Sequence, residues 1–549
     1  MNAASYPWLI AAAATGKATR RASCETALVR PVKLLAALLS LSALLTSCSD
    51  DGEEPTATPS PSVTASSTPS ATALPTGTPT ASPSTTTPAA APRPGRLSAW
   101  RGCEDGFQCA TLTVPLDDRR PSLGTIGLAL IRHKATGRDR LGTLVTNPGG
   151  PGASAVDWLR GSWESFPSAV RDRFDVLAFD PRGVGRSSGV TCLSTSALDT
   201  YFHLDPVPDT AAERRALLAG NRQLAQGCQR RSARVLPYVS TDVVAQDVDR
   251  VRQAVGDSKL TYLGYSYGTA IGAAYLDQFP TRVRAMVLDG ALDPSMTWDG
   301  FLRGQSQGFD VALQAFLAHC EKTRCAFREA VDGDLLKAYD ALEARVDRSP
   351  LPGDGRRTVG PGEFTLGVGA GLYSRDWGWP AIGEALAEAQ RGDGEHLLAL
   401  SDSYLERDED GYSGITEANF AVNCVDRPWP RTEQPYYALA AEVGRTYPRF
   451  GPAIALSGLG CAVWPQRPLD TPHPVTAPGS PPVVVIGTTR DPATPYAWSQ
   501  ALAAQLSRGI LITHVGDGHT VYRVGAPRCV QQPVTTYLTT LRAPKPTRC

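Results

Sequence analysis

Ser266 is the residue whose surroundings are best suited to chemistry. It is the centre of Gly-Tyr-Ser-Tyr-Gly at positions 264–268, directly after the apolar run 260–263 and directly before the helical stretch 269–279. A serine on a sharp strand-to-helix turn, with glycines two positions away on either side, is the arrangement of a nucleophile elbow. The helix N-terminus favours the negative charge that develops beside such a hydroxyl. The pattern therefore predicts that Ser266 is a nucleophile.

The Gly-x-Ser-x-Gly pattern occurs twice more, around Ser187 and Ser306. The stretch 185–189 follows a turn instead of a strand, and the stretch 304–308 lies in a polar region with no apolar run before it. The pattern alone is a weak signal, and the strand and helix around it are what make it specific. Both serines are therefore predicted to be structural.

A serine hydroxyl needs a base to take its proton and an acid to orient that base. After a nucleophile elbow, the acid precedes the histidine in the chain. His519 lies in the glycine-rich loop 515–520, just after the predicted strand 510–514. His514 is the rival, but it lies inside that strand. We therefore predict His519 as the base.

The acid is expected at the end of the preceding strand. Asp491 follows the apolar run 482–487, and Pro492 then forces the chain to turn away. Asp517 is the rival, but it stands only two residues before His519 and is expected to shape the loop. The predicted triad is therefore Ser266, Asp491 and His519.

The oxyanion of an acyl-transfer reaction needs backbone N–H donors. One is expected at Tyr267, the residue after the nucleophile. The second is expected in the loop Thr-Asn-Pro-Gly-Gly-Pro-Gly at 146–152, where either Gly149 or Gly150 is suited to donate. A phosphate-binding loop is the alternative, but no Lys-Ser or Lys-Thr follows these glycines.

Strand and helix signals alternate from residue 98 to residue 290. Such alternation predicts an α/β fold with a mostly parallel sheet and helices on both faces. The segment 291–480 has helical patterns and no clear run of buried strands, and the sheet pattern resumes in 481–549. We interpret 291–480 as a helical lid inserted between the two parts of the core. A separate domain is the alternative.

The N-terminal region resembles an export signal. Positive charges precede the twelve-residue apolar run 34–45, which is too short to span a bilayer. The run ends in Leu-Thr-Ser-Cys at 45–48, which predicts a lipoprotein-type signal peptide over 1–48 with lipidation at Cys48. A plain secretory signal is the alternative. The Thr/Pro/Ser-rich stretch 49–97 predicts a disordered linker, so we expect an exported protein that is secreted or lipid-anchored on the extracellular side.

Ten cysteines follow the signal, an even number that suits disulfides in an oxidising compartment. The simplest prediction pairs neighbours, although sequence alone does not fix the connectivity. A zinc site is the alternative, but no Cys-x-x-Cys occurs, so neither metal nor cofactor is expected. Lys and Arg balance Asp and Glu at 54 each, which gives no indication of a nucleic-acid partner.

Several motifs together resemble the secreted tripeptidyl aminopeptidases of actinobacteria, which are α/β-hydrolases related to prolyl aminopeptidases. The motifs are Asn-Pro-Gly-Gly-Pro-Gly at 147–152, Asp-Pro-Arg-Gly-Val-Gly-Arg-Ser at 180–187, the serine motif and Arg-Asp-Pro-Ala-Thr-Pro at 490–495. The resemblance covers roughly residues 98–549. It implies an α/β-hydrolase fold with a lid, and hydrolysis of short peptides from a free N-terminus by the same triad. One departure is Pro148, where the prolyl enzymes have histidine.

An aminopeptidase must hold the substrate's ammonium group, and a carboxylate in the lid is its natural partner. Glu417 and Asp426 are the predicted partners. Two other functions remain open at this point. One is an esterase or lipase that uses the same triad, and the other is an inactive hydrolase-fold domain that serves as a surface binding module. The sequence does not indicate peptide length, side-chain preference or oligomeric state.

Overall fold

A large, mostly parallel β-sheet organises the chain in the computed structural model, which describes residues 93–549. These residues form one compact unit. The predicted signal peptide with Cys48, and the predicted linker as far as residue 92, lie outside the described residues. Within 93–549, no helix combines the length and the apolar character that a bilayer span requires.

The strands are numbered in chain order. They are β1 (Arg96–Leu97), β2 (Arg101–Gly102), β3 (Phe107–Pro115), β4 (Thr125–His133), β5 (Gly142–Asn147), β6 (Phe174–Phe179), β7 (Leu260–Tyr265), β8 (Val283–Asp289), β9 (Leu351–Pro352), β10 (Thr358–Val359), β11 (Arg407–Asp408), β12 (Gly411–Tyr412), β13 (Val483–Arg490), β14 (Gly509–Asp517) and β15 (Thr547–Arg548).

The main sheet has the order β1-β3-β4-β6-β5-β7-β8-β13-β14-β15, with β2 paired to β3. All pairings from β6 to β15 are parallel, whereas β3, β4 and the short N-terminal strands are antiparallel. The α/β expectation is confirmed. The antiparallel edge was not expected, and β1 falls inside the predicted linker 49–97, which therefore extends too far.

The helices are also numbered in chain order. They are α1 (Ala155–Ser162), α2 (Ser168–Arg171), α3 (Thr195–Phe202), α4 (Ala211–Ser232), α5 (Thr241–Ala254), α6 (Tyr267–Gln278), α7 (Trp298–Thr323), α8 (Ala326–Ala330), α9 (Leu335–Arg348), α10 (Pro361–Leu372), α11 (Gly378–Gln390), α12 (Glu395–Leu405), α13 (Ile415–Asp426), α14 (Gln434–Val443), α15 (Gly451–Ser457), α16 (Leu459–Ala462), α17 (Tyr496–Gln505) and α18 (Arg528–Thr540).

Helices cover both faces of the sheet because its central strands are apolar on both sides. In β13, Val483 and Val485 pack in one core cluster with α5 and α6. Val484 and Ile486 point to the other face and pack in a second cluster with α1 and α18. Successive side chains of a strand alternate between faces, so a continuous apolar run is what a doubly covered parallel strand requires.

The segment between β8 and β13 is helical, with two short hairpins, β9–β10 and β11–β12. Its first part, α7 to α12, has a hydrophobic core of its own, around Phe316, Leu342 and Leu386. Its second part, α13 to α16, joins the core cluster that also contains α4 and α5. The inserted segment is therefore packed against the sheet domain through its second part. We call residues 291–480 the insertion.

Five disulfides join the ten cysteines of the described chain, and each joins neighbours along the sequence, as predicted. They are Cys103–Cys109, Cys192–Cys228, Cys320–Cys325, Cys424–Cys461 and Cys529–Cys549. Cys424–Cys461 ties α13 to α16 within the insertion, and Cys529–Cys549 ties the last helix to the C-terminus. Bonds of this kind stabilise mainly by restricting the unfolded chain, by about 2–4 kcal/mol each.

Candidate active site

Ser266 stands between the last residue of β7 and the first residue of α6, as the sequence predicts. Its backbone has φ 53° and ψ −127°, a conformation that few residues with a side chain adopt. The turn is held because Ser266 N–H donates to Asp289 O at 2.9 Å and Thr269 N–H donates to Ser266 O at 2.8 Å. A Cβ on Gly268 would lie 2.5 Å from Asn147 O. The glycine is therefore required by close packing, and the strained backbone presents the serine at the turn.

The other two serines of the repeated pattern are structural, as predicted. Ser187 is buried, and its Oγ accepts the Ala129 N–H at 2.9 Å. Ser306 is buried inside α7 and donates its hydroxyl to Leu302 O at 2.8 Å.

Asp491 and His519 meet at the carboxyl edge of the sheet. Asp491 follows β13 and His519 follows β14, and these strands are parallel neighbours whose ends lie side by side. The Nδ1 atom of His519 is 2.9 Å from each carboxylate oxygen of Asp491. Asp491 is 2% exposed, so its charge is stabilised by protein groups instead of bulk water.

The Asp491 carboxylate is fixed by its own turn. Its Oδ1 accepts the N–H groups of Ala493 and Thr494 at 3.0 and 2.9 Å, and its Oδ2 accepts the Thr494 hydroxyl at 3.0 Å. Thr494 Oγ1 also lies 3.2 Å from His519 Nδ1. The sequence analysis did not single out Thr494, although its place three residues after the acid is the spacing of such a turn.

The Nε2 atom of His519 is buried and has no hydrogen-bond partner within residues 93–549. The ring lies over the turn after β8, where a Cβ on Gly290 would be 3.2 Å from His519 Cε1. That turn also holds Ser266, whose N–H donates to the adjacent Asp289 O. Nδ1 of the imidazole therefore contacts Asp491, whereas Nε2 has no partner in the described chain and belongs to a ring beside the turn that holds Ser266. Hydrogen bonds between a nucleophile and its base are often long until substrate binds.

The loop after His519 is held from two sides. Val521 and Tyr522 donate their N–H groups to Asp289 Oδ2 at 2.9 and 2.7 Å, and burial raises the pKa of the Asp289 carboxyl to about 6. From the insertion, Tyr373 O accepts the His519 N–H at 2.9 Å, and the Tyr373 ring meets the imidazole edge-on at 5.3 Å. The position of the imidazole therefore depends on the sheet and on the insertion together.

The two rivals for the triad line the same cavity but have different surroundings. His514 is in β14, and its Nδ1 is buried without a hydrogen-bond partner among residues 93–549. Asp517 pairs with Arg490, and its Oδ2 lies 3.5 Å from the Arg375 guanidinium. Asp517 therefore ties the loop to the end of β13 and to the insertion.

The structure distinguishes Gly149 from Gly150. The Gly149 N–H donates to Asn147 Oδ1 at 3.0 Å, so it is already used. The amides of Gly150 and Tyr267 donate to no other group in the described part of the chain. Gly149 instead provides close approach, because a Cβ there would lie 2.7 Å from Ser266 Cβ and 2.9 Å from Tyr267 N. The free amides beside the nucleophile are those of Gly150 and Tyr267.

A cavity of about 2510 Å³ lies over the serine, between the sheet edge and the insertion, and both Ser266 and His519 line it. This volume is larger than the roughly 300–1,000 Å³ of an ordinary small-molecule site, and it suits an extended ligand. Asn419, in α13, donates its side-chain amide to Pro151 O at 3.2 Å. The insertion is thereby joined to the glycine-rich loop at the floor of the cavity.

The two carboxylates predicted to hold an ammonium group are both engaged elsewhere. Glu417 is 3% exposed, does not line the cavity, and accepts the Cys192 N–H at 3.2 Å. Asp426 lines the cavity, but its oxygens accept the N–H and the hydroxyl of Thr241 at 2.8 and 2.5 Å. The prediction for Glu417 is wrong because its position on α13 turns it into the core, and that for Asp426 is weakened by these bonds.

Glu406 is a cavity carboxylate that the sequence analysis missed. It follows the last residue of α12 with φ 49°, and it accepts the Ser413 hydroxyl at 2.5 Å. It forms no ion pair with a cationic residue of the described chain. Burial raises the pKa of Glu406, and the Ser413 hydrogen bond opposes that rise. Its signal in the sequence was an acid at a helix end where glycine is usual.

Comparison with known proteins agrees with this geometry. The family profile described as alpha/beta hydrolase fold matches residues 142–526. Serine protease Hip1 of Mycobacterium tuberculosis is 38% identical over 476 residues, which cover 82% of this chain and 90% of that protein. Carboxylesterase B of the same species is 36% identical over 468 residues, 82% of this chain and 88% of that protein. The tripeptidyl aminopeptidase of Streptomyces lividans is 32% identical over 487 residues, 82% and 86% of the two chains.

The resemblance inferred from the sequence motifs is confirmed by these matches, and so is the fold. The sheet, the nucleophile elbow and the Asp491–His519 pair at the carboxyl edge all accord with it. The chain belongs to the α/β-hydrolase family, in the branch that includes Hip1 and the tripeptidyl aminopeptidases.

Proposed function

We propose that this protein is an exported serine peptidase that removes short peptides from the free N-terminus of peptide substrates. The observation that carries the proposal is the buried Asp491–His519 pair, whose Nε2 has no hydrogen-bond partner among residues 93–549, on a cavity that Ser266 also lines. The relatives named serine protease and tripeptidyl aminopeptidase support peptides as the substrate class.

In the proposed reaction, Ser266 Oγ attacks the scissile carbonyl carbon while its proton passes to His519 Nε2. Asp491 keeps the other proton of the ring on Nδ1 and stabilises the imidazolium that forms. The carbonyl oxygen becomes an oxyanion, which accepts the N–H groups of Gly150 and Tyr267. The C–N bond then breaks, and the imidazolium gives its proton to the leaving amine. Water, activated by the same imidazole, hydrolyses the acyl-enzyme and restores Ser266.

The insertion supports end specificity. It covers the serine edge, so a substrate enters a cavity that has walls from both the sheet edge and the insertion. A chain end that carries an ammonium needs an anionic partner, and Glu406 is a cavity carboxylate without a cation of its own. We therefore place the substrate's ammonium at Glu406 in this proposal, and not at Glu417 or Asp426.

Export is part of the proposal. The signal pattern over 1–48 and the lipidation motif at Cys48 support a membrane anchor, and the linker would hold the enzyme away from the membrane. The five disulfides support an oxidising compartment. Mass spectrometry of the mature protein tests this part: a diacylated N-terminal Cys48 supports the anchor, and an unmodified N-terminus elsewhere contradicts it.

Substrate class is tested by comparing tripeptide p-nitroanilides with free N-termini, the same compounds with acetylated N-termini, and p-nitrophenyl esters. We expect kcat/KM to be highest for the free peptides, because the acetylated compounds lose the ammonium contact. Carboxylesterase B is 36% identical, so an esterase is the competing outcome. Preference for esters, or for acetylated peptides, would refute the aminopeptidase proposal.

Changing Glu406 to glutamine is expected to raise KM for free peptides by roughly 10- to 100-fold, with little effect on acetylated ones, because a charge-assisted bond is lost. Because burial raises the Glu406 pKa, its carboxylate forms only above that raised value. KM for free peptides, relative to acetylated ones, should therefore fall as pH rises through it, and this dependence should vanish in Glu406→Gln.

The matched control is Glu409→Gln, which alters an exposed carboxylate on the same cavity. It should leave KM unchanged within about twofold, because exposed charges contribute little. Equal effects of the two variants on free and acetylated peptides would exclude Glu406 as the ammonium partner.

A further inference from the structure

Arg427 is a cavity residue that the reaction described above does not use. It directly follows α13 and lines the cavity. Its Nε and Nη1 atoms are buried and have no hydrogen-bond partner among residues 93–549. Its guanidinium lies 4.4 Å from the centre of the Phe301 ring and 5.8 Å from that of Trp429. Two aromatic rings therefore lie beside a guanidinium whose Nε and Nη1 donate no hydrogen bond within residues 93–549.

No carboxylate of the described chain pairs with this cation. The adjacent Asp426 directs its two oxygens at Thr241. The helix end before Arg427 provides a favourable partial charge, but no carbonyl there accepts a bond from the guanidinium. Aromatic faces attract a cation, yet they leave the N–H groups unsatisfied. Burial lowers the pKa of Arg427, and the charge of the nearby Asp426, which forms no ion pair with it, opposes that shift.

Three other arginines of the cavity show the contrast. Arg357 bonds Asp402 at 2.6–2.7 Å, Arg407 bonds Asp199 at 2.8 Å, and Arg375 lies 3.5 Å from Asp517. These side chains have their anions within the protein. A buried, unpaired charge is costly, so its retention in a ligand cavity indicates that the ligand brings the counter-charge.

We infer that Arg427 binds a carboxylate group of the peptide substrate, an inference that rests on the proposed function. Guanidinium and carboxylate match as planar groups and form paired hydrogen bonds. Two parts of a peptide carry this chemistry: the C-terminal carboxylate of a short peptide, and the side chain of an aspartate or glutamate. Arg427 and Glu406 would then recognise opposite charges of the same substrate.

Binding to a Ser266→Ala variant, which cannot turn over, separates these two sources. Calorimetry would compare one tripeptide as the free acid and as the C-terminal amide. A second pair would carry glutamate or glutamine at one position and a C-terminal amide throughout. We expect at least about tenfold tighter binding of the acid in one pair, which identifies the source. Equal affinities within both pairs, or no binding by any of them, would overturn the inference.

Substitutions at residue 427 in the Ser266→Ala protein test whether Arg427 causes the preference for the free acid. Arg427→Gln should abolish the preference for the acid, and Arg427→Lys should keep part of it, since the charge remains. Arg356→Gln removes an exposed arginine of the same cavity and should keep the whole preference. A preference for the acid that persists in Arg427→Gln would contradict the assignment to this residue. The comparison of acid and amide in Ser266→Ala tests the inference without any change at Arg427.

The proposed function fails by a different observation. Hydrolysis of p-nitroanilides by the unmutated enzyme does not involve a free carboxylate. Absence of that hydrolysis would refute the peptidase, whereas normal hydrolysis with equal binding of acids and amides would refute only the role of Arg427.

Discussion

Ser266→Ala is expected to lower kcat/KM for tripeptide p-nitroanilides by about 10⁶-fold, because no other group in the site can form the acyl-enzyme. The variant keeps the Cβ and the strained backbone of the turn, so the fold should be unchanged. The residual rate would come from the free amides of Gly150 and Tyr267 and from binding alone. Hydrolysis and labelling by a fluorophosphonate probe measure the loss.

The chain offers matched controls for this experiment. Ser306→Ala removes a hydroxyl from the same five-residue pattern, but within the described chain that hydroxyl bonds only the backbone carbonyls of Leu302 in α7 and Gly451 in α15. It should keep full labelling and activity. Ser187→Ala removes the acceptor of the Ala129 N–H and should cost about 1–3 kcal/mol of stability, again without loss of labelling. Labelling that survives in Ser266→Ala would refute the proposed nucleophile, and an unlabelled native enzyme would favour the binding module.

Asp491→Asn is expected to lower kcat by about 10⁴-fold while the thermal unfolding temperature changes little. The backbone N–H groups of Ala493 and Thr494 require an oxygen at the Oδ1 position. The new NH₂ group must therefore take the Oδ2 position, 2.9 Å from His519 Nδ1. Because that nitrogen would then accept a hydrogen bond, the ring proton moves to Nε2, and the imidazole can no longer take the serine proton.

Asp517→Asn is the control, since Asp517 is the other carboxylate near the imidazole in sequence. Its partners are Arg490 and Arg375, so its loss should loosen the loop and reduce kcat only several-fold. Single-turnover kinetics with both variants would separate acylation from binding. If Asp491→Asn retained more than a tenth of the native kcat, or if Asp517→Asn were the more damaging change, the assignment of the acid would be wrong.

Several helices and strands of this fold could be predicted from the local sequence. The strand before Ser266 and the helix after it are both apolar enough to mark a buried strand–turn–helix. Other elements were missed although a signal existed. Helix α4 is mostly polar, yet Thr210 and Glu213 form a capping box at its start, which is a local mark of a helix N-terminus. Strand β3 was also missed, although its antiparallel partner β4 begins only ten residues after β3 ends.

The sequence by itself determined the order of the proposed catalytic groups and the strands that carry them. Parallel strands end at one edge of a sheet, so residues after β7, β13 and β14 are brought together whatever lies between them. The disulfide partners were also predicted correctly, because every cysteine pairs with its neighbour along the chain.

Only the tertiary structure decided which polar groups already have hydrogen-bond partners within the protein. The Asn147 side chain accepts the Gly149 N–H, and Glu417 accepts the Cys192 N–H. The buried Nε and Nη1 of Arg427 have no acceptor in the described chain. Residue type and spacing give the number of donors and acceptors that each group has. Whether a group is satisfied depends on partners as far as 268 residues away in the chain, as between Pro151 and Asn419. Such pairings arise from packing in three dimensions and leave no local pattern in the sequence.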